Sequence, residues 1–93
     1  MIQGFKCKAT EALFRGEKTA KQLRPIAQVA LRKLDMLDYA AVLGDLRVPP
    51  GNRLEALKGN RRGQYSIRIN DQRRICFVRG EEGPDQVEIV DYH

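Results

Sequence analysis

The sequence predicts an α+β fold in which an N-terminal strand and two helices pack on one face of a small antiparallel sheet. The first half of the chain carries an apolar stripe at helical spacing, and the second half carries alternating apolar residues separated by turns. Residues 48–51, with the sequence Val-Pro-Pro-Gly, divide the two halves, because this segment neither continues a helix nor suits a central strand. With 93 residues in all, we expect a single domain over residues 1–93.

The first half should contain one short strand and two helices. Residues 2–7 alternate weakly between polar and apolar and predict the strand. Thr10 is a candidate N-cap for a short helix over residues 10–14. The main helix has Pro25 in its first turn, where a missing N–H costs nothing, and should close at Gly44. Its apolar stripe, which we expect to be core, consists of Leu23, Ala27, Ala30, Leu34, Leu37 and Ala41.

The second half should form an antiparallel meander. Residues 64–70 alternate and predict a strand, and a turn at 70–72 joins it to a strand over 73–79. That second strand is apolar on both faces, which is typical of a central strand. A turn at 80–84 leads to a last strand over 87–92. No predicted element covers the other face of this sheet, so outward-facing side chains from distant parts of the sequence should gather there.

The basic residues are concentrated in one contiguous third of the chain. Residues 52–79 contain eight basic and two acidic side chains, whereas the formal net charge of the whole chain is +5. Seven of the eight are arginine, whose planar guanidinium matches phosphate oxygens. This pattern favours a polyanionic partner, most simply nucleic acid. The alternative is a solvated charged face.

Several classes of site find no support in the sequence. Cys7 and Cys76 are far apart and belong to no Cys/His cluster, so two buried thiols in a reducing cytosol are expected instead of a zinc site. Residues 59–63 contain two glycines, but no Gly-Lys-Ser/Thr follows, which excludes a P-loop. No signal peptide is visible, and no apolar run approaches the ~20 residues of a membrane-spanning helix. We therefore expect a cytoplasmic protein that uses no metal and no cofactor.

Three features are candidates for chemistry. The chain ends in Asp-Tyr-His, and His93 is its one histidine, the residue type whose unperturbed pKa lies near neutrality; the alternative is a frayed terminus. Residues 57–63 set cations between glycines that let a ligand approach the backbone, unless this is only a basic hairpin turn. An arginine pair at 73–74 begins an apolar strand, which would hold a cation rigidly. The alternative there is a salt bridge to Asp91 or Glu88.

Three ordered blocks of the sequence resemble the HigB-type toxins of the RelE/ParE-like toxin–antitoxin superfamily, which includes plasmid maintenance killer proteins. Residues 50–59 look like the loop and strand that precede the sheet in these toxins, and residues 64–77 resemble their central hairpin. Residues 87–93 resemble their last strand with its terminal Asp-Tyr-His, and residues 2–5 match their opening strand. The resemblance covers nearly the whole chain, most specifically residues 49–93.

The resemblance implies a RelE-like fold and the function of a type II toxin that cleaves mRNA, in many relatives in the ribosomal A site. It also implies a HigA-type helix-turn-helix antitoxin as partner, mRNA and the ribosome as targets, operator DNA bound through the antitoxin complex, and no membrane. Our hypothesis for the reaction is attack of a ribose 2′-OH on the neighbouring phosphate, which needs no cofactor because the substrate supplies the nucleophile. The alternative is a non-catalytic nucleic-acid-binding or antitoxin-docking module.

Under this hypothesis the basic residues and the C-terminal residues have different roles in the reaction. Arg74 and Lys58 would stabilise charge on the phosphate, and His93 and Tyr92 would transfer protons. Asp91 would orient His93 or Arg74. The backbone phosphates of the RNA would be held by Arg53, Arg61, Arg62, Arg68 and Arg73.

The chain departs from the family pattern at two positions. Relatives often carry a tryptophan where Arg73 stands, and some carry a histidine about where Glu55 stands. The second departure leaves the proton-transfer roles open between Tyr92, His93 and Glu55. The protein either relies on His93, uses Glu55, or is a slow enzyme.

Overall fold

The computed structural model describes residues 1–91 and confirms the α+β class. The regular elements are α1 (Lys8–Phe14), α2 (Ala27–Tyr39), β1 (Glu55–Ala56), β2 (Gln64–Arg68), β3 (Arg73–Arg79) and β4 (Pro84–Asp91). Short 3₁₀ helices occupy Lys21–Ile26, Leu43–Arg47, Pro50–Asn52 and Gly59–Arg61. The helices therefore precede the sheet along the chain, as the change in periodicity predicts.

The four strands form one antiparallel sheet in the order β1-β2-β3-β4. The turn predicted at residues 70–72 closes the β2–β3 hairpin, because the Asn70 Oδ1 accepts backbone hydrogen bonds from Gln72 at 2.9 Å and Arg73 at 2.8 Å. The two-residue β1 pairs Glu55 with Ser66 and forms an edge of the sheet. The segment before the sheet thus belongs to the sheet itself.

The N-terminal segment lies extended beside β4 but is not a full strand. It makes one parallel bridge, between Phe5 and Val87. Backbone hydrogen bonds from Lys6 N–H to the Val87 carbonyl (3.0 Å) and from Val87 N–H to the Gly4 carbonyl (3.1 Å) flank that bridge. This pairing occupies the outer edge of β4, which would otherwise present unpaired backbone groups.

The prediction that Thr10 caps a helix is wrong. The helix α1 begins earlier, at Lys8 after Cys7, and Thr10 lies inside it with no exposed surface. Its hydroxyl accepts a 3.0 Å hydrogen bond from the backbone N–H of Ile89. Because buried backbone donors need a partner, Thr10 serves the edge of β4 where the N-terminal segment no longer reaches.

The main helix ends at Tyr39, five residues before the predicted stop at Gly44. The Asp45 carboxylate accepts hydrogen bonds from the backbone N–H groups of Ala41 (2.9 Å) and Val42 (3.2 Å), which caps the next 3₁₀ helix and turns the chain. Ala41 is consequently exposed, although the stripe predicted it to be core.

The rest of the stripe is confirmed as core. Leu23 is buried, and Ala27 is half-buried and packs against the core. Buried residues of α2 and of the inner sheet face form one hydrophobic cluster that includes Ala30, Leu34, Leu37, Ile67, Ile75, Phe77 and Val87. The helices therefore pack on a single face of the sheet, and burial of these side chains is the main source of stability.

A buried asparagine anchors the Pro-Pro-Gly segment. The Nδ2 of Asn52 donates to the carbonyls of Leu46 at 3.2 Å and Val48 at 3.4 Å, and its Oδ1 accepts from Lys33 of α2. Asn52 has no exposed surface. This network ties the chain to α2 immediately before it enters β1, so it sets where Glu55 begins the sheet.

Across residues 1–91, no helix has both the length and the apolar character that crossing a membrane requires.

Candidate functional site

The sheet face away from the helices, here called the open face, contains one row of residues that crosses all four strands. The strand register aligns Glu55 with Ser66, Ser66 with Cys76, and Cys76 with Glu88. The two middle residues, Ser66 and Cys76, have no exposed surface although no helix packs on them. Longer charged side chains cover them, and these side chains form the candidate site.

Arg74 is the central cation of the open face. Its Nε donates a 2.7 Å hydrogen bond to the Ser66 Oγ, and its Nη2 donates a 2.6 Å hydrogen bond to the Arg53 carbonyl. The same Nη2 lies 3.4 Å from the Glu55 Oε1. Since the side chain is only 11% exposed, these contacts fix the guanidinium in one orientation.

The Arg53 carbonyl reaches Arg74 from an uncommon backbone conformation. Arg53 follows the Pro50–Asn52 helix and has φ 46° and ψ 55°, the left-handed region that non-glycine residues seldom adopt. Its side chain is exposed. One residue therefore offers a carbonyl to the interior of the site and a cation to its surface.

Glu55 supplies a carboxylate beside that guanidinium. Its side chain is 52% exposed, so the carboxylate is open to solvent while paired with Arg74. A carboxylate at such a place can accept a proton from a ligand bound to the neighbouring cation. Lys58 lies three residues further on, exposed, before the Gly59–Arg61 helix. The buried Leu57 holds this segment to β2 through a 2.9 Å hydrogen bond to the Gln64 carbonyl.

The structure separates the two members of the arginine pair at 73–74. Arg74 projects from the open face, whereas strand alternation puts Arg73 on the other face with Ile75. Arg73 aligns with Asp91, the last described residue of β4. Of the salt-bridge partners considered from sequence, Glu88 pairs with Arg61 and Lys6, at 3.8 Å and 3.4 Å.

Two more of the predicted RNA-binding arginines, Arg61 and Arg68, lie on the open face. Arg68 aligns with Arg74 across β2 and β3 and forms an ion pair with Asp71. Arg61 is half-buried and Arg62 is exposed, both in the segment between β1 and β2. The structure thus brings Arg61 and Arg68 to the same face as Arg74, and it places Arg73 on the opposite face.

The predicted proton-transfer residues Tyr92 and His93 lie outside the described residues, so their roles stay predictions. Sequence reasoning missed Ser66, whose hydroxyl orients Arg74, because only the strand register shows that the two face the same side. It also missed Glu88 as the partner of Arg61. The alternation of side chains along a strand could have placed Ser66 and Glu88 on the outward face, because each lies an even number of residues from other outward-facing residues of its own strand.

The thiol of Cys76 lies at the centre of these charges but is not suited to act as a nucleophile. Burial raises the pKa of the Cys76 thiol, and the nearby Glu88 and Glu55 carboxylates act in the same direction against the lowering effect of Arg61 and Arg74. A protonated thiol is a small apolar filler. The expectation of two buried thiols is confirmed for Cys76, whereas Cys7 is half-buried, and both are free.

Within residues 1–91, no group of three or more His, Cys, Asp or Glu side chains is arranged to hold a metal ion. The charged groups of the open face instead form separate arginine–glutamate pairs. Their guanidinium groups are the side chains of the site whose geometry matches phosphate oxygens.

Comparisons with known proteins identify the family. Residues 3–93 match the model of the RelE-like toxin of the type II toxin–antitoxin system HigB. Toxin HigB-1 of Vibrio cholerae serotype O1 is 45% identical over 78 residues, which cover 83% of this chain and 82% of that protein. An uncharacterized protein of Haemophilus influenzae is 39% identical over 62 residues, or 67% of this chain and 61% of that protein.

The fold agrees with this assignment. A chain of the YoeB-YefM complex from Staphylococcus aureus superposes with a TM-score of 0.58 over 100% of this chain and 95% of that chain, at 21% sequence identity. Sequence and fold lead to one conclusion: the chain is a toxin of a type II toxin–antitoxin system and belongs to the HigB-like family of RelE-like toxins.

Proposed function

We propose that this toxin is an endoribonuclease that cleaves mRNA on the translating ribosome, by attack of a ribose 2′-OH on the adjacent phosphate. The observation that carries the proposal is the arrangement of Arg74 and Glu55. A fully oriented guanidinium and a solvent-open carboxylate lie 3.4 Å apart on a face bordered by further arginines. The guanidinium can bind a phosphate, and the neighbouring carboxylate can accept a proton.

The proposed reaction makes one bond and breaks one. The 2′ oxygen bonds to phosphorus while the bond from phosphorus to the 5′ oxygen breaks, leaving a 2′,3′-cyclic phosphate and a 5′-hydroxyl end. One proton leaves the 2′-OH, and another is delivered to the departing 5′ oxygen. The nucleophile and the leaving group both belong to the RNA, so the reaction requires no metal and no cofactor.

Arg74 is proposed to stabilise the negative charge that builds on the phosphoryl oxygens. Its hydrogen bonds to the Ser66 hydroxyl and the Arg53 carbonyl support this role, because a cation already held in position needs no reorganisation as charge develops. Lys58, exposed on the adjoining segment, is proposed as a second cation for the same phosphate.

Glu55 is proposed to accept the proton of the 2′-OH, and His93 or Tyr92 to protonate the leaving oxygen. The exposed carboxylate beside Arg74 supports the first assignment. Asp91 is proposed to orient the C-terminal residues. At this position some relatives carry a histidine, so in this chain a carboxylate would take the place of an imidazole as proton acceptor.

The surrounding arginines are proposed to hold the RNA backbone. Arg53, Arg61, Arg62 and Arg68 are proposed to contact phosphates, and RNA affinity should therefore fall steeply as salt is added. A flat dependence of the dissociation constant on salt concentration would contradict a groove that reads phosphates.

The proposed partners follow from the family. A HigA-type helix-turn-helix antitoxin would silence the toxin, and the pair would bind operator DNA through the antitoxin. Membership of a type II toxin–antitoxin family supports an antitoxin partner, and the solved neighbour named above is a complex of two proteins. The site of action would be the cytoplasm, where ribosomes translate mRNA.

Induced expression with mapping of transcript ends tests the proposal. We expect growth arrest and new mRNA ends from the wild type, and loss of both in Arg74→Ala and Glu55→Gln. Loss of both in His93→Ala would assign the leaving-group proton to His93, and their retention would assign it to Tyr92. Arg79→Ala and Glu81→Gln are matched controls, because they make the same charge changes at exposed positions outside the site. A soluble, folded wild type that causes no arrest and no new ends would contradict the nuclease and leave a binding or antitoxin-docking role.

A further inference from the structure

A second ion-pair cluster lies on the open face, at the opposite end of the cross-strand row from Glu55. Glu88 of β4 aligns with Cys76, and its Oε1 lies 3.8 Å from the Arg61 Nη2. Its Oε2 lies 3.4 Å from the Lys6 Nζ. The Glu88 side chain is 16% exposed, so a carboxylate is nearly enclosed between two cations.

Arg61 is held from two sides and still reaches solvent. Its Nη1 donates a 3.1 Å hydrogen bond to the Gln64 Oε1, and its Nη2 faces Glu88. A third of the side chain, 33%, is exposed. The next residue, Arg62, is exposed altogether. Arg61 is therefore an oriented cation, and Arg62 is a solvated one beside it.

The contribution of Glu88 to stability should be small. Its Oε2 is buried and accepts no hydrogen bond from the described part of the chain, and both of its ion pairs are long. The desolvation of a nearly enclosed carboxylate offsets much of the attraction in such pairs. The ion pair does, however, place the Arg61 guanidinium beside β4.

The glutamates of the two pairs, Glu55 and Glu88, lie at opposite ends of the cross-strand row. Arg74 with Glu55 and Arg61 with Glu88 all act electrostatically on the Cys76 thiol. The row from β1 to β4 spans three strand intervals, about 14 Å. An RNA strand that lies along this row would therefore extend past the phosphate that reacts at Arg74.

We infer that Glu88 is a positioning residue, which holds Arg61 so that it binds a phosphate of the RNA flanking the one that reacts at Arg74. This assignment rests on the proposed function. One arginine–glutamate pair serves the reacting phosphate, and the other sets the register of the strand on the open face. Gln64 supports Arg61 from the other side.

The direction in which RNA affinity changes when Glu88 loses its negative charge distinguishes positioning of Arg61 from general electrostatic attraction. Glu88→Gln removes a negative charge and raises the formal net charge above +5. If Arg61 acted only through general electrostatic attraction, this variant would bind RNA more tightly. If Glu88 orients Arg61, the same variant binds RNA more weakly despite its higher charge.

The test uses the full chain and a single-stranded RNA oligonucleotide with 2′-O-methyl groups throughout, which the proposed reaction cannot cleave. We expect Glu88→Gln and Arg61→Ala each to weaken binding about tenfold, the scale of one charge-assisted hydrogen bond. The double variant should bind no more weakly than Arg61→Ala alone, because the two residues act as one unit. Arg79→Ala, which removes an exposed arginine outside the site, is the matched control and should stay within about twofold.

Two further measurements distinguish positioning of Arg61 from a loss of folded protein caused by the Glu88 substitution. Arg61→Ala and Glu88→Gln should each reduce the salt slope of log Kd by about one, whereas simple loss of folded protein leaves the slope unchanged. Gln64→Ala removes the other support of Arg61 without changing the net charge. It should weaken binding in the same direction, which keeps the test valid if Glu88→Gln does not fold.

The outcomes are distinguishable. Unchanged or tighter binding by a folded Glu88→Gln, or equal losses in Arg61→Ala and Arg79→Ala, would overturn the positioning role while leaving the nuclease intact. A folded wild type that neither binds the oligonucleotide nor cleaves mRNA in a cell-free translation extract would overturn the proposed function, and this assignment with it.

Discussion

The backbone carbonyl of Arg53 accepts a 2.6 Å hydrogen bond from the Nη2 of Arg74, 21 residues later in the chain. This contact joins a loop in the left-handed conformation to the central strand of the sheet. It means that the cation of the site is oriented by backbone as well as by the Ser66 hydroxyl. The position of Arg53 therefore affects the site independently of its own charge.

Two substitutions at Arg53 separate its backbone role from its side chain. Arg53→Gly accepts φ 46° without strain and should fold as well as the wild type. Arg53→Val forces a β-branched residue into the left-handed region, which it tolerates less well than arginine does, and should lower the free energy of unfolding by on the order of 1 kcal/mol. Both variants lose the exposed cation equally. In chemical denaturation, only the valine variant should have a lower free energy of unfolding than the wild type. Equal free energies for the two variants would contradict a role for the left-handed backbone at Arg53.

Ser66→Ala should impair both stability and cleavage. The substitution removes the acceptor of the Arg74 Nε in a fully buried place, which costs about 1–3 kcal/mol in unfolding free energy. A less constrained guanidinium should also slow RNA cleavage about tenfold or more. Urea denaturation and single-turnover cleavage measure the two effects.

Cys76→Ala is the control for Ser66→Ala. Cys76 is the neighbour of Ser66 in the same row and is equally buried. The alanine variant should lose stability while keeping the cleavage rate per folded molecule. If the two variants reduced cleavage alike, the Ser66 hydroxyl would not be what orients Arg74.

Thr10→Val should destabilise the protein, and Thr10→Ser should not to the same degree. Valine has nearly the same shape as threonine but lacks the hydroxyl that accepts from the Ile89 N–H, so it leaves that donor unsatisfied beside a buried position. The expected loss is about 1 kcal/mol or more in the free energy of unfolding. Thermal denaturation of both variants measures it, and a valine variant as stable as the wild type would show that the bond is dispensable.

Stability should fall at alkaline pH because of Cys76. Burial raises the pKa of this thiol in the folded state, so the unfolded chain loses its proton first, near the ordinary value of 9.0. The contribution is complete below pH 9 and is lost as the pH rises through the folded pKa. The unfolding free energy of the wild type should then decline more steeply above pH 9 than that of Cys76→Ser. Parallel curves would contradict the raised pKa.

The periodicity of apolar residues predicted those features of the fold that are set within a single helix or strand. The stripe from Leu23 to Leu37 marked the buried side of the main helix, and alternation marked β2. Thr10 was misjudged because a threonine near a helix start usually caps it, and here a strand 79 residues away needs the hydroxyl. Ala41 was misjudged because a side chain, that of Asp45, ends the helix pattern early.

The candidate site was predictable only in part. The basic segment and the resemblance singled out Arg74 and Glu55, but the row that joins them depends on how β1, β2 and β3 are aligned. A shift of one residue in that alignment would exchange the faces of Arg73 and Arg74. The pairings of Arg74 with Ser66 and of Arg61 with Glu88 are therefore properties of the assembled sheet.

The end chemistry of cleaved RNA tests the central claim most directly. A folded wild type in a cell-free translation extract should generate fragments with 5′-hydroxyl and 2′,3′-cyclic phosphate ends, because the ribose 2′-OH is the proposed nucleophile. Arg74→Ala should reduce their yield about 100-fold or more, while Arg79→Ala, at the other end of the same strand, should not. Fragments with 5′-phosphate ends, or equal yields from the two variants, would contradict cleavage by Arg74-assisted attack of the 2′-OH.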